Sequence, residues 1–159
     1  MSEKHHTNAP QITCGMLIRR PVHEVFNALV DPAHTSRFWF SSGSGKLAPN
    51  ARVQWRWNTF KLAVTVEVIV FEPNRRLVVA WPSPKGISKL EWRFTERPDG
   101  STYVSISETG VDLNNQRLQQ ALGSSEGFTL VLAGLKSYLE HGKVLPLITD
   151  RYSAELSQA

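Results

Sequence analysis

Cysteine is nearly missing from this sequence. Cys14 is the one thiol in 159 residues, so no internal disulfide can form and nothing calls for an oxidising compartment. A closed set of metal ligands is missing too. The adjacent His5 and His6 do not supply one, and His23-Glu24 opens like a zinc-protease motif in which Asn27 stands where the second histidine belongs. Long apolar runs are also absent: LAVTVEVIVF, the longest, is interrupted by Thr65 and Glu67, and the opening MSEKHHTNAP has none of the apolar core of a secretory signal. These absences predict a cytoplasmic protein with no membrane span, no metal and no cofactor.

Phosphate cradles are imitated rather than built. In SSGSGKLAP, residues 41–49, Gly43, Gly45 and Ala48 have dinucleotide-motif spacing. That motif must follow a strand and open a helix, whereas this stretch follows a helical pattern and runs into Pro49 and a strand. Gly45-Lys46 lacks the upstream glycine of a P-loop, where Phe40 stands, and the Ser or Thr after the lysine, where Leu47 stands. Blocks of like charge are missing as well. The net charge is +4 and the isoelectric point about 9.5, but Arg52, Arg56, Lys89 and Arg93 alternate with aromatic residues along strand patterns. They read as the solvated face of a half-buried sheet and not as a nucleic-acid surface.

What the chain does have is one long amphipathic helix. In Ser124–His141, SSEGFTLVLAGLKSYLEH, the residues Phe128, Val131, Leu132, Leu135, Tyr138 and Leu139 recur at helical spacing. Ser124 suits the N-cap, Glu126 the positive end of the helix dipole and Gly142 the left-handed C′ position, and Pro146 prevents continuation. Nearly everything before it reads as strand. At 159 residues the chain fits one domain, here placed at residues 11–148 between a disordered tail over 1–10 and a polar tail over 149–159.

The alternation of Ile12, Cys14, Met16 and Ile18 predicts a first strand with Cys14 facing inward. Pro21 opens a helix carrying Val22, Val25, Phe26 and Leu29. Asp31 then caps a second helix from Pro32 to Phe40, whose aromatic end, Phe38, Trp39 and Phe40, is a first pocket candidate. Five strands follow as a meander. Val53, Trp55 and Trp57 share one face of the first; a strand from Leu62 to Phe71 turns at Glu72-Pro73-Asn74-Arg75 into Arg76–Trp81. The proline-rich Trp81–Gly86 stretch reads as a loop. Leu90, Trp92 and Phe94 alternate next, and Thr102, Val104, Ile106 and Glu108 form one face of the last strand. The fold class is α+β: a curved antiparallel sheet wrapped around the C-terminal helix, with two short helices after the first strand, because the helix stripe and the sheet face must cover each other.

This order of elements resembles the START-like helix-grip superfamily. Within it, RPVHEVFNALVDP, FEPNRRLVVAW, GSTYVSISETGV and GFTLVLAGLKSYLEHG are similar to the heat-shock-protein-90 ATPase activator homologue family, over roughly Gln11 to Gly142. Phe128 stands where such sequences usually carry tryptophan, and a chain of 159 residues is not expected to hold the separate chaperone-engaging domain of the eukaryotic co-chaperone. The resemblance implies a cavity for an apolar or aromatic small molecule between helix and sheet.

Trp39, Trp55, Trp57, Trp81 and Trp92 are the expected lining, roofed by Phe128 and Leu132, with Glu108 at the inner end of the last strand. A solid aromatic core is the alternative for the same residues. The expected function is non-enzymatic binding of an apolar small molecule, in a stress-related setting. Two other functions stay open: a cyclase- or hydrolase-type enzyme using Glu108 as its pocket carboxylate, Glu67 being the other carboxylate considered, and a chaperone-interaction module acting through its surface. Monomer and dimer both remain open.

Overall fold

The computed structural model describes residues 11–83, 86–109 and 125–152. His5, His6, Ser124 and the glutamine-rich link over 111–123 lie outside them. The elements are β1 (Gln11–Ile18), α1 (Val22–Val30), α2 (Pro32–Thr35), β2 (Ser42–Gly43), β3 (Arg52–Trp57), β4 (Leu62–Glu72), β5 (Arg76–Ser83), β6 (Gly86–Glu96), β7 (Thr102–Thr109), α3 (Ser125–His141) and α4 (Leu147–Tyr152). The strands form one sheet in the order β1-β7-β6-β5-β4-β3-β2, with every pair antiparallel. β2 to β7 are therefore a meander, and the first strand closes it beside the last.

Side-chain parity carries the core. Val53, Trp55 and Trp57 of β3, Val66 and Val68 of β4, Leu77, Val79 and Trp81 of β5, Leu90, Trp92 and Phe94 of β6, and Val104 and Ile106 of β7 are all buried in one cluster. A bulge between Val68 and Val70 shifts the β4–β5 register. It leaves Ile69 about half exposed and turns Phe71 inward onto Phe26, with ring centroids 5.4 Å apart. Across this face α3 buries Phe128, Val131, Leu132 and Leu135 completely, the stripe its spacing predicts. Lys136 Nζ donates to the Leu17 carbonyl at 2.7 Å, and the Arg19 amide donates to Glu140 Oε2 at 3.0 Å. At the other end Cys14 Sγ donates to the Ser125 carbonyl at 3.3 Å. The helix thus runs in the same direction as β1 and stops at Gly142, which has φ +65°.

Four elements differ from the sequence reading. The second helix ends at Thr35, well before Phe40. Its last turn tightens through Arg37 N–H to the His34 carbonyl and Phe38 N–H to the Thr35 carbonyl. A regular helix would spread three consecutive residues over about 200°, yet Phe38, Trp39 and Phe40 are all buried, so the chain must leave the helix to turn all three inward. The loop over 41–49 contains the short edge strand β2. The proline-rich loop contracts because β5 continues through Pro82 to Ser83 and pairs there with Ile87 and Gly86 of β6. β4 accompanies β5 only as far as Ala80, so Pro82 stands on an open edge where no amide hydrogen is required. Finally, residues 149–152 are not tail: α4 buries Ile148 and Tyr152, an i, i+4 pair, in the core, and Arg151 pairs with Glu126 of α3.

Candidate functional site

β3, β5 and β6 each aim tryptophans at the same region, because alternate residues of neighbouring strands share a face. Trp55 and Trp57 come from β3, Trp81 from β5 and Trp92 from β6. Trp39, on the turn after α2, lies among all four, with ring centroids 5.0 Å from Trp55, 6.0 Å from Trp57, 6.2 Å from Trp81 and 5.9 Å from Trp92. Phe40 stacks on Trp55 at 5.0 Å and 26°. None of the five tryptophans is more than 6 % exposed. Gly43 of β2 permits this packing: a Cβ there would stand 2.9 Å from Pro32 Cβ and 3.3 Å from Phe40. That glycine serves close approach, and its place in an imitation phosphate motif is incidental.

One indole is paired. Trp81 Nε1 donates to Glu108 Oε2 at 2.7 Å. The N–H groups of Trp39, Trp57 and Trp92 are buried with no partner among the described residues. Glu108 is buried between its register partners Ile12 of β1 and Leu90 of β6. Burial pushes its carboxyl up to about 7, with the Trp81 N–H pulling the other way. Glu67 is exposed on the opposite face, level with Arg52 and Ala80, and takes no part in this site.

A crevice of about 170 Å³ opens beside the cluster. Its walls are the 36–41 turn, Trp57, Thr59 and Phe60, and the segment 144–149. Phe38, Trp39 and Phe40 form part of these walls. Of the expected lining, Trp39 and Trp57 border this crevice; Trp55, Trp81, Trp92, Glu108, Phe128 and Leu132 do not, and are buried in the interior. The sequence reading missed the C-terminal wall, where the spacing of Ile148 and Tyr152 was the available signal. Among the described residues no three His, Cys, Asp or Glu side chains converge as a metal set, and no helix is long and apolar enough to cross a membrane.

A curved antiparallel sheet gripping a long C-terminal helix, with its aromatic residues turned toward that helix, defines a helix-grip protein of the START-like class. The family described as "Activator of Hsp90 ATPase homolog 1-like protein" matches residues 19–140, and the chain belongs to it. Among solved structures it is similar to protein SSP2350 from Staphylococcus saprophyticus, at 29% identity and TM-score 0.70 over 86% of this chain and 96% of that one. It shares its fold with the Aha1 dimer from Colwellia psychrerythraea, at 16% identity and TM-score 0.71 over 84% and 98% of the two chains. CalU16 from Micromonospora echinospora is similar at 22% identity and TM-score 0.64, over 91% and 82%. No curated protein matches the chain.

Proposed function

We propose that this domain binds a small apolar or aromatic molecule at the indole cluster, without catalysis. The observation that carries this reading is the set of three buried indole N–H groups without partners among the described residues, next to a buried carboxyl. A core selected for packing alone would use Leu or Phe, since each unpaired buried donor costs about 1–3 kcal/mol. A ligand with acceptor atoms recovers that cost. Titration with 9-fluorenone, a planar ketone, should quench tryptophan emission saturably, and native mass spectrometry of freshly purified protein should show a copurified small molecule. Trp92→Ala, checked for folding in parallel, should weaken the response by about tenfold or more. No saturable response across a panel of planar ketones, together with an interior that takes up no xenon, would leave the cluster as a solid core.

One observation favours a second reading. A carboxyl that titrates near 7 suits a general acid or base, as a cyclase or hydrolase would need. In that case Glu108→Gln keeps binding and abolishes turnover, because the amide preserves shape but cannot exchange a proton.

A further inference from the structure

We infer that Trp39 occupies the ligand's own place: a planar bicyclic or tricyclic aromatic bearing hydrogen-bond acceptors enters the cluster by exchanging with the Trp39 ring, which swings out with the 36–41 turn. This deepens the proposed function and rests on it.

The four surrounding indoles are fixed on strands β3, β5 and β6. Trp39 rides instead on a turn, whose Ser36, Arg37, Phe38 and Trp39 N–H groups donate back to α2, Trp39 N–H to the Thr35 carbonyl at 3.0 Å, and whose far end is held by Ser41 N–H to the Arg56 carbonyl at 2.7 Å and by Asn58 N–H to Ser41 Oγ at 2.9 Å. The 170 Å³ crevice lies against this same turn and gives the arc room to move.

Trp39 fills the space in shape but not in chemistry. An indole offers a donor and no acceptor, and here it sits among the unpartnered donors of Trp57 and Trp92 while its own N–H is buried and unpaired. Swinging outward returns that N–H to water, and a ring carrying a carbonyl or ether oxygen gives the remaining donors what Trp39 cannot. The long helix meets the arc through Tyr138, which lies against Phe38 and Arg37, and most closely at Gly134. A Cβ on Gly134 of α3 would stand 3.1 Å from Phe38 Cβ and 3.3 Å from its carbonyl oxygen, so glycine there lets the turn seat fully.

The test uses the full chain, nitrogen-15-labelled at its indoles, and 9-fluorenone. Saturating the wild type should speed exchange of the Trp39 indole proton with water about tenfold or more while the Trp57 and Trp92 protons stay protected and shift. Trp39→Ala should bind the probe about tenfold tighter, because an open site no longer pays for displacing its occupant. Gly134→Ala is the independent variant should Trp39→Ala fail to fold: its added methyl presses on Phe38, so Trp39 exchange should quicken without probe and affinity should rise. Weaker binding by Trp39→Ala, or a Trp39 proton still protected in the saturated wild type, makes Trp39 part of the wall; the exchange idea then falls and the binding site stands. Unchanged Trp39 exchange in Gly134→Ala also overturns it. No binding by the wild type or either variant overturns both.

Discussion

At the scale of residues, Glu108 is the one carboxylate buried among the described side chains, and its titration links the site to stability. The folded carboxyl titrates at about 7 against an ordinary 4.5. Between those values the folded chain holds a proton that the unfolded chain has released, so raising pH through the window favours unfolding. The contribution is complete below the lower value and gone above the upper one, a loss on the order of 3 kcal/mol. Glu108→Gln keeps an acceptor for Trp81 N–H and cannot ionise. Urea unfolding at several pH values should show the variant gaining on the wild type across this window; parallel curves would mean that Glu108 is not desolvated as its burial implies. The inward direction of the four strand indoles was legible, because period-two alternation fixes which face each residue joins. Trp39's place at their centre was not, since a turn has no period, and neither was the lack of partners for three N–H groups, which depends on distances between strands far apart in sequence.

At the scale of elements, α3 and the inner sheet face are each other's cover. Phe128, Val131, Leu132 and Leu135 have no exposed surface, and truncating any one of them to Ala should cost about 2–5 kcal/mol. A chain ending before Ser125 should lose sharp near-ultraviolet dichroism and cooperative melting; a truncated chain that retains both would show that the sheet closes without its helix. This helix and the strands were readable because each has a sustained period and bounding turn residues, as at Asn74 and Gly142, which take positive φ. Elements were misread where the local signal and the tertiary context disagree. Pro82 argues against a strand in general but not on an open edge, and three consecutive aromatics imitate the end of a helix that must in fact unwind to bury them. The six residues of α4 offer a single i, i+4 pair as their signal, so the domain was ended at Ile148 and Tyr152 was left in a polar tail.

At the scale of the whole molecule, the alternation that builds the site also separates it from the surface. Arg52 and Arg56 are exposed on the face of β3 opposite Trp55 and Trp57, and Lys89 and Arg93 extend the basic surface on β6. Glu91 on that surface is engaged by Arg76 at 3.1 Å and by Arg93, and Glu67 stands level with Arg52. A chaperone-docking reading would rely on this basic surface. Replacing Arg52 and Arg56 by Ser decides between the two readings. Ligand binding inside the grip depends on the opposite face, so the fluorescence midpoint with 9-fluorenone should stay within about twofold of wild type, because the substituted side chains point away from the indoles and the Arg56 carbonyl that accepts from Ser41 N–H is kept. Docking of an acidic partner would instead depend on those charges and weaken as salt is raised. Stimulation of Hsp90 ATPase activity by the wild-type chain, lost in the double variant and at high salt, would move the function to the outer face. A preserved midpoint with no such stimulation keeps it with the indoles.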